Sequence, residues 1–326
     1  MKEIDMLAMA RTNGFRLGNA QDRQGGTGCT VLVFPDSAPC AVDVRGGGPA
    51  SRESELLSPM AAASGIHAIL LSGGSAFGLN ASAGVMQYLE EQHIGFDTRI
   101  CKVPLVVESC IYDLGCGDNV RPDAAMGYAA CQAAETGDFR EGCYGAGTGA
   151  TVGKLCGPDY MMKSGLGAYA VQVGALQVGA VVSVNAVGDV LDEQGQILAG
   201  MRSRDGQGFA DTRRVMLEEA GQTPTLFSQR AVGTTTNTTI GAVVTNGRFD
   251  KAQLKKIAAL GSNGIVRAIR PVNTTADGDS LYAASVGSVS AELSLTGTIA
   301  AYVVEKAIRR AVCQAESLYG VPACGS

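Results

Sequence analysis

The chain is poor in the residues that most hydrolases depend on. It has two histidines, His67 and His93, among 326 residues. A Ser-His-Asp triad needs one of them as its base. His67 lies inside the apolar run 66–71 and His93 closes a helical stretch, so both read as structural. There are ten cysteines but no Cys-x-x-Cys pair. With so little histidine, the common zinc clusters are excluded and no metal is expected. No run of about 18 apolar residues occurs, so no membrane span is expected. The opening MKEIDMLAMARTNGF lacks the apolar core and small-residue cleavage site of a secretory signal. Free cysteines without an export signal point to a reducing cytoplasm, and all ten read as small buried hydrophobes. Net charge is -5 and no basic cluster appears, which argues against nucleic acid.

What is present is globular. Hydrophobic residues make up 46% and charged residues 17%, so the chain can bury a core. The 44 glycines exceed an ordinary share of about 7%. They are scattered without period and read as tight turns and close backbone contacts. Residues 29–34 read as a strand stopped by Pro35-Asp36, and 41–45 as a second. Residues 51–58 read as a loop carrying a short helix. A buried strand at 66–71 leads through Ser72-Gly73-Gly74-Ser75 into a helix from about 80 to 92. An apolar piece (104–107) and a loop (111–115) precede an alanine-rich helix at 122–135, with Pro122 in its first turn. Residues 167–174 and 176–185 alternate as a β-hairpin. Residues 199–212 read as an exposed loop short of core positions, followed by a brief helix at 212–220. Residues 251–262 are helical, 264–269 could be helix or strand, and 290–313 form a long helix. Hairpins mixed with paired helices favour α+β layers over repeated βαβ units. The chain reads as one domain, 1–326.

Three candidate sites carry chemistry. In residues 233–246, five threonines (Thr234, Thr235, Thr236, Thr238 and Thr239) flank Asn237, and an apolar β-branched run follows. If the Asn237–Thr238 bond cuts itself, Thr238 becomes an N-terminal residue. A threonine hydroxyl needs an adjacent base, and its own α-amine, with a reference pKa of about 7.7–8.0, can serve. The bland alternative is a Thr-rich loop before an ordinary strand. The glycine-rich stretch 142–154 ends in Lys154, but its spacing fails the phosphate-loop pattern, since Leu155 stands where Ser or Thr is needed. It is either a site lining with Lys154 or a turn with a solvated lysine. Asp277-Gly278-Asp279 is either a pair of working carboxylates or a solvated acidic turn. Asn185, ending an apolar strand, is a buried amide in want of partners. Ser75 resembles a nucleophile elbow, but Phe77 stands where that motif needs glycine.

Taken together, these motifs resemble the P1-type family of self-processing peptidases, which includes L-aminopeptidase/D-esterases, β-aminopeptidases and nylon-oligomer endohydrolases. The resemblance rests on Asp43-Val44-Arg45-Gly46-Gly47, on Ser72-Gly73-Gly74-Ser75-Ala76-Phe77-Gly78-Leu79, and on residues 145–154. It also rests on Val184-Asn185-Ala186-Val187-Gly188-Asp189-Val190, on Asn237-Thr238-Thr239 and on Asp277-Gly278-Asp279. It implies an αββα sandwich of the N-terminal-nucleophile type, two mixed sheets between helix layers. It also implies cleavage into an α chain 1–237 and a β chain 238–326, with Thr238 as nucleophile. By resemblance Lys154 and Asn185 assist the nucleophile and the transition state, Tyr112 contacts the reacting carbonyl, and Asp277 and Asp279 hold Thr238 and its amine. The Asn-Thr junction and the Asp-Gly-Asp pair resemble the nylon-oligomer branch, whereas the β-aminopeptidase branch uses serine. Asn80 and Asn19 depart from family patterns, where aspartate and histidine are common.

The function implied is hydrolysis of small peptides or amino-acid amides through an acyl-enzyme on Thr238, without metal or cofactor. Tetramers of αβ units are the oligomer implied. The rivals are acyl transfer of the ornithine acetyltransferase type, and an unprocessed binding protein of the same fold.

Overall fold

The central strands of this chain are buried at nearly every position rather than at every second one. That pattern belongs to strands covered on both faces. The computed structural model describes residues 1–222, 224, 225, 228 and 236–325, and it puts these strands in the middle of a layered molecule. One sheet has six strands in the order β1 (Lys2–Ile4), β12 (Leu166–Val173), β13 (Leu176–Asn185), β16 (Thr238–Gly247), β18 (Ser280–Val289) and β4 (Cys40–Val44). Within it only β16 and β18 run parallel. The second sheet has five strands, in the order β2 (Arg16–Asp22), β3 (Thr27–Ala38), β6 (Ile66–Ser72), β9 (Val106–Cys110) and β5 (Ala50–Arg52), with β6 and β9 parallel. Three small assemblies decorate the rims: β15 (Ile197–Ala199) with β14 (Asp189–Leu191) and β17 (Ile269–Arg270), β10 (Thr151–Val152) with β11 (Met162–Lys163), and β7 (Phe96–Asp97) with β8 (Lys102–Val103).

Three separate cores define four layers. One lies between the two sheets, where Leu32, Ile69 and Leu71 meet Val181, Ile240, Ala242 and Val244. A second lies between the six-stranded sheet and the helices α5 (Lys251–Ala268) and α6 (Leu293–Cys313). The third lies between the five-stranded sheet and α2 (Ala81–Glu91) and α3 (Ala124–Thr136). This is the expected αββα sandwich with mixed sheets. Helices α1 (Met6–Thr12) and α4 (Thr212–Glu218) lie outside those two pairs. Glycine lets α5 and α6 touch: a Cβ on Gly264 would sit 2.2 Å from the Ala301 carbonyl oxygen.

Several local expectations need correction. The first strand does not stop at Pro35. β3 runs on to Ala38, and its register with β6 jumps between Val33 and Ala38, so the proline sits where the ladder is already broken. Pro122 precedes α3 rather than entering it, because Asp123 caps that helix by accepting from the Met126 N–H. The ambiguous segment 264–269 is both things: α5 continues to Ala268 and β17 starts at Ile269. The loop 199–212 is exposed only in its middle. Ala199 and Met201 are fully buried, and the Asp189 carboxylate binds the N–H groups of Met201 and Thr212. Six of the ten cysteines are buried, but Cys101 and Cys313 are exposed, and Cys156 and Cys324 are intermediate. His67 is structural as expected, with Nδ1 accepting from the Leu105 N–H. The start of the chain forms β1 and α1, which its sequence did not signal. No helix among the described residues is long and apolar enough to cross a membrane.

Candidate active site

Strand register brings the candidate residues together. Asn185 ends β13 and pairs directly across with Thr238, which begins β16. On the other side of β16, Ile240 pairs with Ser280 at the start of β18, and Ser280 pairs with Val44 at the end of β4. Thr238, Asn185, Asp279 and the glycines after Val44 therefore meet at one end of the strands of the six-stranded sheet. Asn237 and Asp277 form an isolated parallel bridge just outside it.

The Asn237–Thr238 peptide is buried and hydrogen-bonded. Asn237 is 5% exposed and Thr238 4%, so bulk water barely reaches the bond. The Thr238 hydroxyl donates to the Asn237 carbonyl oxygen at 2.5 Å, and the same oxygen accepts from the Gly278 N–H at 2.8 Å. Upstream, the Thr236 carbonyl accepts from Lys154 Nζ at 2.8 Å and from Asn185 Nδ2 at 3.3 Å. Asn185 is the hub. Its Oδ1 accepts from Lys154 Nζ at 2.7 Å and from the Thr151 N–H at 3.1 Å, and its Nδ2 donates to the Tyr112 carbonyl at 2.9 Å.

The Asp277-Gly278-Asp279 turn is held from both ends. Asp279 accepts from the Thr239 N–H at 2.5 Å and the Asn273 N–H at 2.9 Å. Asp277 Oδ2 accepts from the N–H and the hydroxyl of Thr274. The chain after β4 clamps the turn: the N–H groups of Arg45 and Gly46 donate to the Asp279 carbonyl, and that of Gly48 to the Asp277 carbonyl. A Cβ on Gly46 would lie 2.3 Å from the Asp279 nitrogen, so only glycine fits there. Asp43 pairs with Arg45 and Lys255, and Arg45 also reaches the Ala259 carbonyl on α5. The Asp-Val-Arg-Gly-Gly motif is thus a buttress for the turn.

Burial sets the charges. Asp277 and Asp279 are both raised above the usual carboxylate range, first because they are out of water, and Asp279 further because Asp277 is beside it. Lys154 is lowered to about 7 by burial, against the pull of nearby Cys116, Asp277, Asp113 and Asp279. Asp277 Oδ1 is buried without a hydrogen-bond partner among the described residues, although the Val187 N–H lies close enough to the carboxylate to favour its charge.

Every candidate residue reaches this one site: Thr238, Asn237, Lys154, Asn185, Asp277, Asp279 and Tyr112. Tyr112 does so through its main-chain carbonyl, and its side chain is half-buried. Thr234 and Thr235 lie outside the described residues. Asn19 is occupied elsewhere, bonded to Thr30 and to the Arg140 carbonyl. The sequence reading missed the main-chain groups of Thr151, Thr236 and Gly278, which no side-chain pattern signals. It also missed Asp113. That buried carboxylate, raised to about 6 by burial, accepts from Thr27 Oγ1 at 2.7 Å and the Gly74 N–H at 2.6 Å. It ties the Ser72-Gly73-Gly74 loop to the residue next to Tyr112. The polar residue after Tyr112 in Ile111-Tyr112-Asp113 was the available signal.

The model of peptidase family S58 matches residues 10–323. An uncharacterized aminopeptidase of Mycobacterium leprae is 35% identical over 91% of this chain and 86% of its own. A 6-aminohexanoate-oligomer endohydrolase of Kocuria sp. is 32% identical over 93% of this chain and 84% of its own. Among solved structures, the Burkholderia sp. β-aminopeptidase superposes with a TM-score of 0.67 at 20% identity, covering 95% of this chain and 88% of that one. The L-aminopeptidase D-Ala-esterase/amidase of Ochrobactrum anthropi, described as a variant of the Ntn-hydrolase fold, gives 0.68 at 19% identity over 95% and 86%. These two structures establish the shared fold.

Proposed function

The chain belongs to peptidase family S58 and is a peptide- or amide-bond hydrolase; from that premise we propose that it cleaves its own Asn237–Thr238 bond and then works through Thr238 as an N-terminal nucleophile. The observation that carries this reading is the Thr238 hydroxyl, set 2.5 Å from the oxygen of the carbonyl it would attack, in a buried turn.

In self-cleavage the Thr238 Oγ adds to the Asn237 carbonyl carbon. The C–N bond breaks, the nitrogen takes up the proton lost by the hydroxyl, and an ester remains. Water hydrolyses that ester, leaving a carboxylate on Asn237 and a free amine and hydroxyl on Thr238. The amine, with a reference pKa of about 7.7–8.0, is then the base for its own hydroxyl. The unpartnered Asp277 Oδ1 supports a place for it as an ammonium. Asp279, on the Thr239 N–H, fixes the start of the strand.

In turnover the hydroxyl attacks a substrate carbonyl, and Lys154 Nζ and Asn185 Nδ2 supply the donors for the oxyanion. One such donor is worth ~3–4 kcal/mol. The Tyr112 carbonyl holds the Asn185 amide in position, and the tyrosine side chain is assigned to substrate contact by resemblance alone. The amine product leaves, and water resolves the acyl-enzyme. The scheme calls for no metal or cofactor. Small peptides and amino-acid amides are the substrate class. ω-Amino acid oligomers are included because a relative is named for them. A cytoplasmic assembly of αβ units, tetrameric by resemblance, is the matching cellular form.

Intact mass tests the scheme. Purified protein should give pieces of 237 and 89 residues that stay associated, and Thr238→Ala should remain whole and inactive on a panel of amino-acid p-nitroanilides and short amides. Processing in Thr238→Ala, or amide hydrolysis by a chain that stays whole, refutes it. Adding amines to the acyl-enzyme separates hydrolysis from acyl transfer.

A further inference from the structure

Two consecutive carbonyls meet in the turn before β16, and different donors hold them. The scissile Asn237 oxygen is bound by the Thr238 hydroxyl and the Gly278 N–H. The Thr236 oxygen is bound by Lys154 Nζ and Asn185 Nδ2. We propose that the uncut chain and the processed enzyme use different oxyanion donors. The Gly278 N–H serves self-cleavage, while Lys154 and Asn185 are capped by the Thr236 carbonyl and serve substrate only once that carbonyl has left. The inference rests on the Thr238 reading above and adds to it a self-inhibited precursor.

The geometry divides the work. An oxyanion donor acts when it sits about 2.7–3.1 Å from the oxygen on which charge develops. The Gly278 nitrogen meets that condition for the scissile oxygen, at 2.8 Å. Gly278 also lies against the nucleophile, because a Cβ placed on it would be 3.1 Å from Thr238 Oγ1. Lys154 and Asn185 spend their donors one residue upstream, on an oxygen that gains no charge in the reaction. Among the described residues Lys154 Nζ also donates to Asn185 Oδ1, so two of its three hydrogens are directed away from the scissile oxygen.

The same two donors are already shaped around an amide carbonyl. Thr236 fills the position that a substrate carbonyl would take. Before cleavage the covalent chain keeps it there, and a substrate is shut out. Cleavage turns Asn237 into a free carboxylate end and breaks the tether to β16. The Thr236 carbonyl can then withdraw and leave a two-donor pocket beside a freed nucleophile. Processing would thus open the site as well as create the amine.

The test separates the two reactions in the same protein. The full chain is made by cell-free synthesis, processing is followed by intact mass, and hydrolysis is measured on the p-nitroanilide panel. Lys154→Met should process within about tenfold of the unmodified rate, while hydrolysis falls by the 10²–10³-fold typical of a lost oxyanion donor. Asn185→Asp is a second variant. It keeps the Oδ1 acceptor for Thr151 and Lys154 but replaces the Nδ2 donor, and it should show the same split. Gly278→Ala keeps the N–H and adds a Cβ 2.9 Å from the Gly48 carbonyl oxygen, so the turn must give slightly and processing slows somewhat, whereas Gly278→Pro adds carbon and removes the N–H. The alanine variant should process, and the proline variant should stay whole by the same 10²–10³-fold criterion. Parallel loss of processing and hydrolysis in both Lys154→Met and Asn185→Asp, with thermal melts showing folded protein, overturns the proposal. So does unimpaired processing in a folded Gly278→Pro. Failure of the Thr238 reading itself is seen separately, as an unmodified chain that never cleaves.

Discussion

Glu108 offers a prediction that does not depend on the reaction. It lies on β9, fully buried, across from Arg52 on β5. Its Oε2 has no hydrogen-bond partner among the described residues, while its Oε1 meets the Cys110 thiol at 3.8 Å and Ser82 lies beside the carboxylate. The Arg52 guanidinium is turned to Ser82 Oγ and Met86 Sδ. Burial therefore pushes the Glu108 carboxyl from its ordinary 4.5 up to about 8, against weaker opposing effects of Ser82, Arg52 and Cys110. The sign follows from proton binding. Between about pH 4.5 and 8 the unfolded chain has lost this proton and the folded chain keeps it, so folding loses stability as pH rises. Each unit costs about 1.4 kcal/mol, hence about 3 kcal/mol by pH 7 and about 5 kcal/mol above pH 8. Glu108→Gln removes the ionisation while keeping size and shape. In a Thr238→Ala background, which on the proposed scheme holds one chain throughout, urea unfolding of Glu108→Gln and its parent should nearly coincide at pH 5. They should diverge in favour of glutamine by a few kcal/mol at pH 8. The other buried acids are common to both proteins and cancel. A difference independent of pH, or glutamine less stable at pH 8, refutes the reasoning.

Two further substitutions probe the supports of the site. Gly46→Ala places a Cβ 2.3 Å from the Asp279 nitrogen and 2.4 Å from the Asp277 carbonyl oxygen. The turn must shift, so processing measured by intact mass should slow on the order of 10²-fold, and an unchanged rate would show that the turn tolerates displacement. Lys163 is fully buried and donates to the carbonyls of Ala150 and Ser164, both at 2.9 Å. Lys163→Met removes the amine from two buried carbonyls, of which Ala150 keeps the Ser164 N–H at 3.0 Å and Ser164 keeps the Cys143 thiol at 3.7 Å, so each lost hydrogen bond costs about 0.5–1.5 kcal/mol. Urea unfolding should show a loss of roughly 1–3 kcal/mol, and parental stability would mean that water or relaxation replaces the amine.

How much of this was written in the sequence depends on whether a side chain or the main chain carries the information. β16 was legible because a strand covered on both faces must be apolar almost throughout, and residues 240–244 are. The helices α2, α3, α5 and α6 were legible by spacing, but their ends were not. Capping at Asp123 and the switch from α5 to β17 are decided by single hydrogen bonds and by neighbouring strands. Pro35 misled because a proline stops a strand only where its N–H is needed, and the break in register there removes that need. The loop 199–212 misled because one buried carboxylate, Asp189, brings in its ends while its glycines and charges keep the middle outside.

The site shows the same division more sharply. Its side chains could be named from motifs, but their roles turn on register and on main-chain atoms. Lys154, taken alone, is as well described by a solvated lysine after a glycine-rich turn. What removes that description is the pairing of Asn185 with Thr238 across two strands. That pairing places the amide that accepts from Lys154 beside Thr238, and the lysine must follow it inward. No spacing between residues 154, 185 and 238 encodes that pairing, because it depends on which strands become neighbours. Likewise the Asp-Val-Arg-Gly-Gly motif carries no chemistry of its own. It acts only because β4 lies beside β18, which puts its N–H groups on the carbonyls of Asp277 and Asp279. The functional content of this chain therefore sits in strand order as much as in residue identity, and a substitution that shifts the β13–β16 register should disable the site without touching any of its side chains.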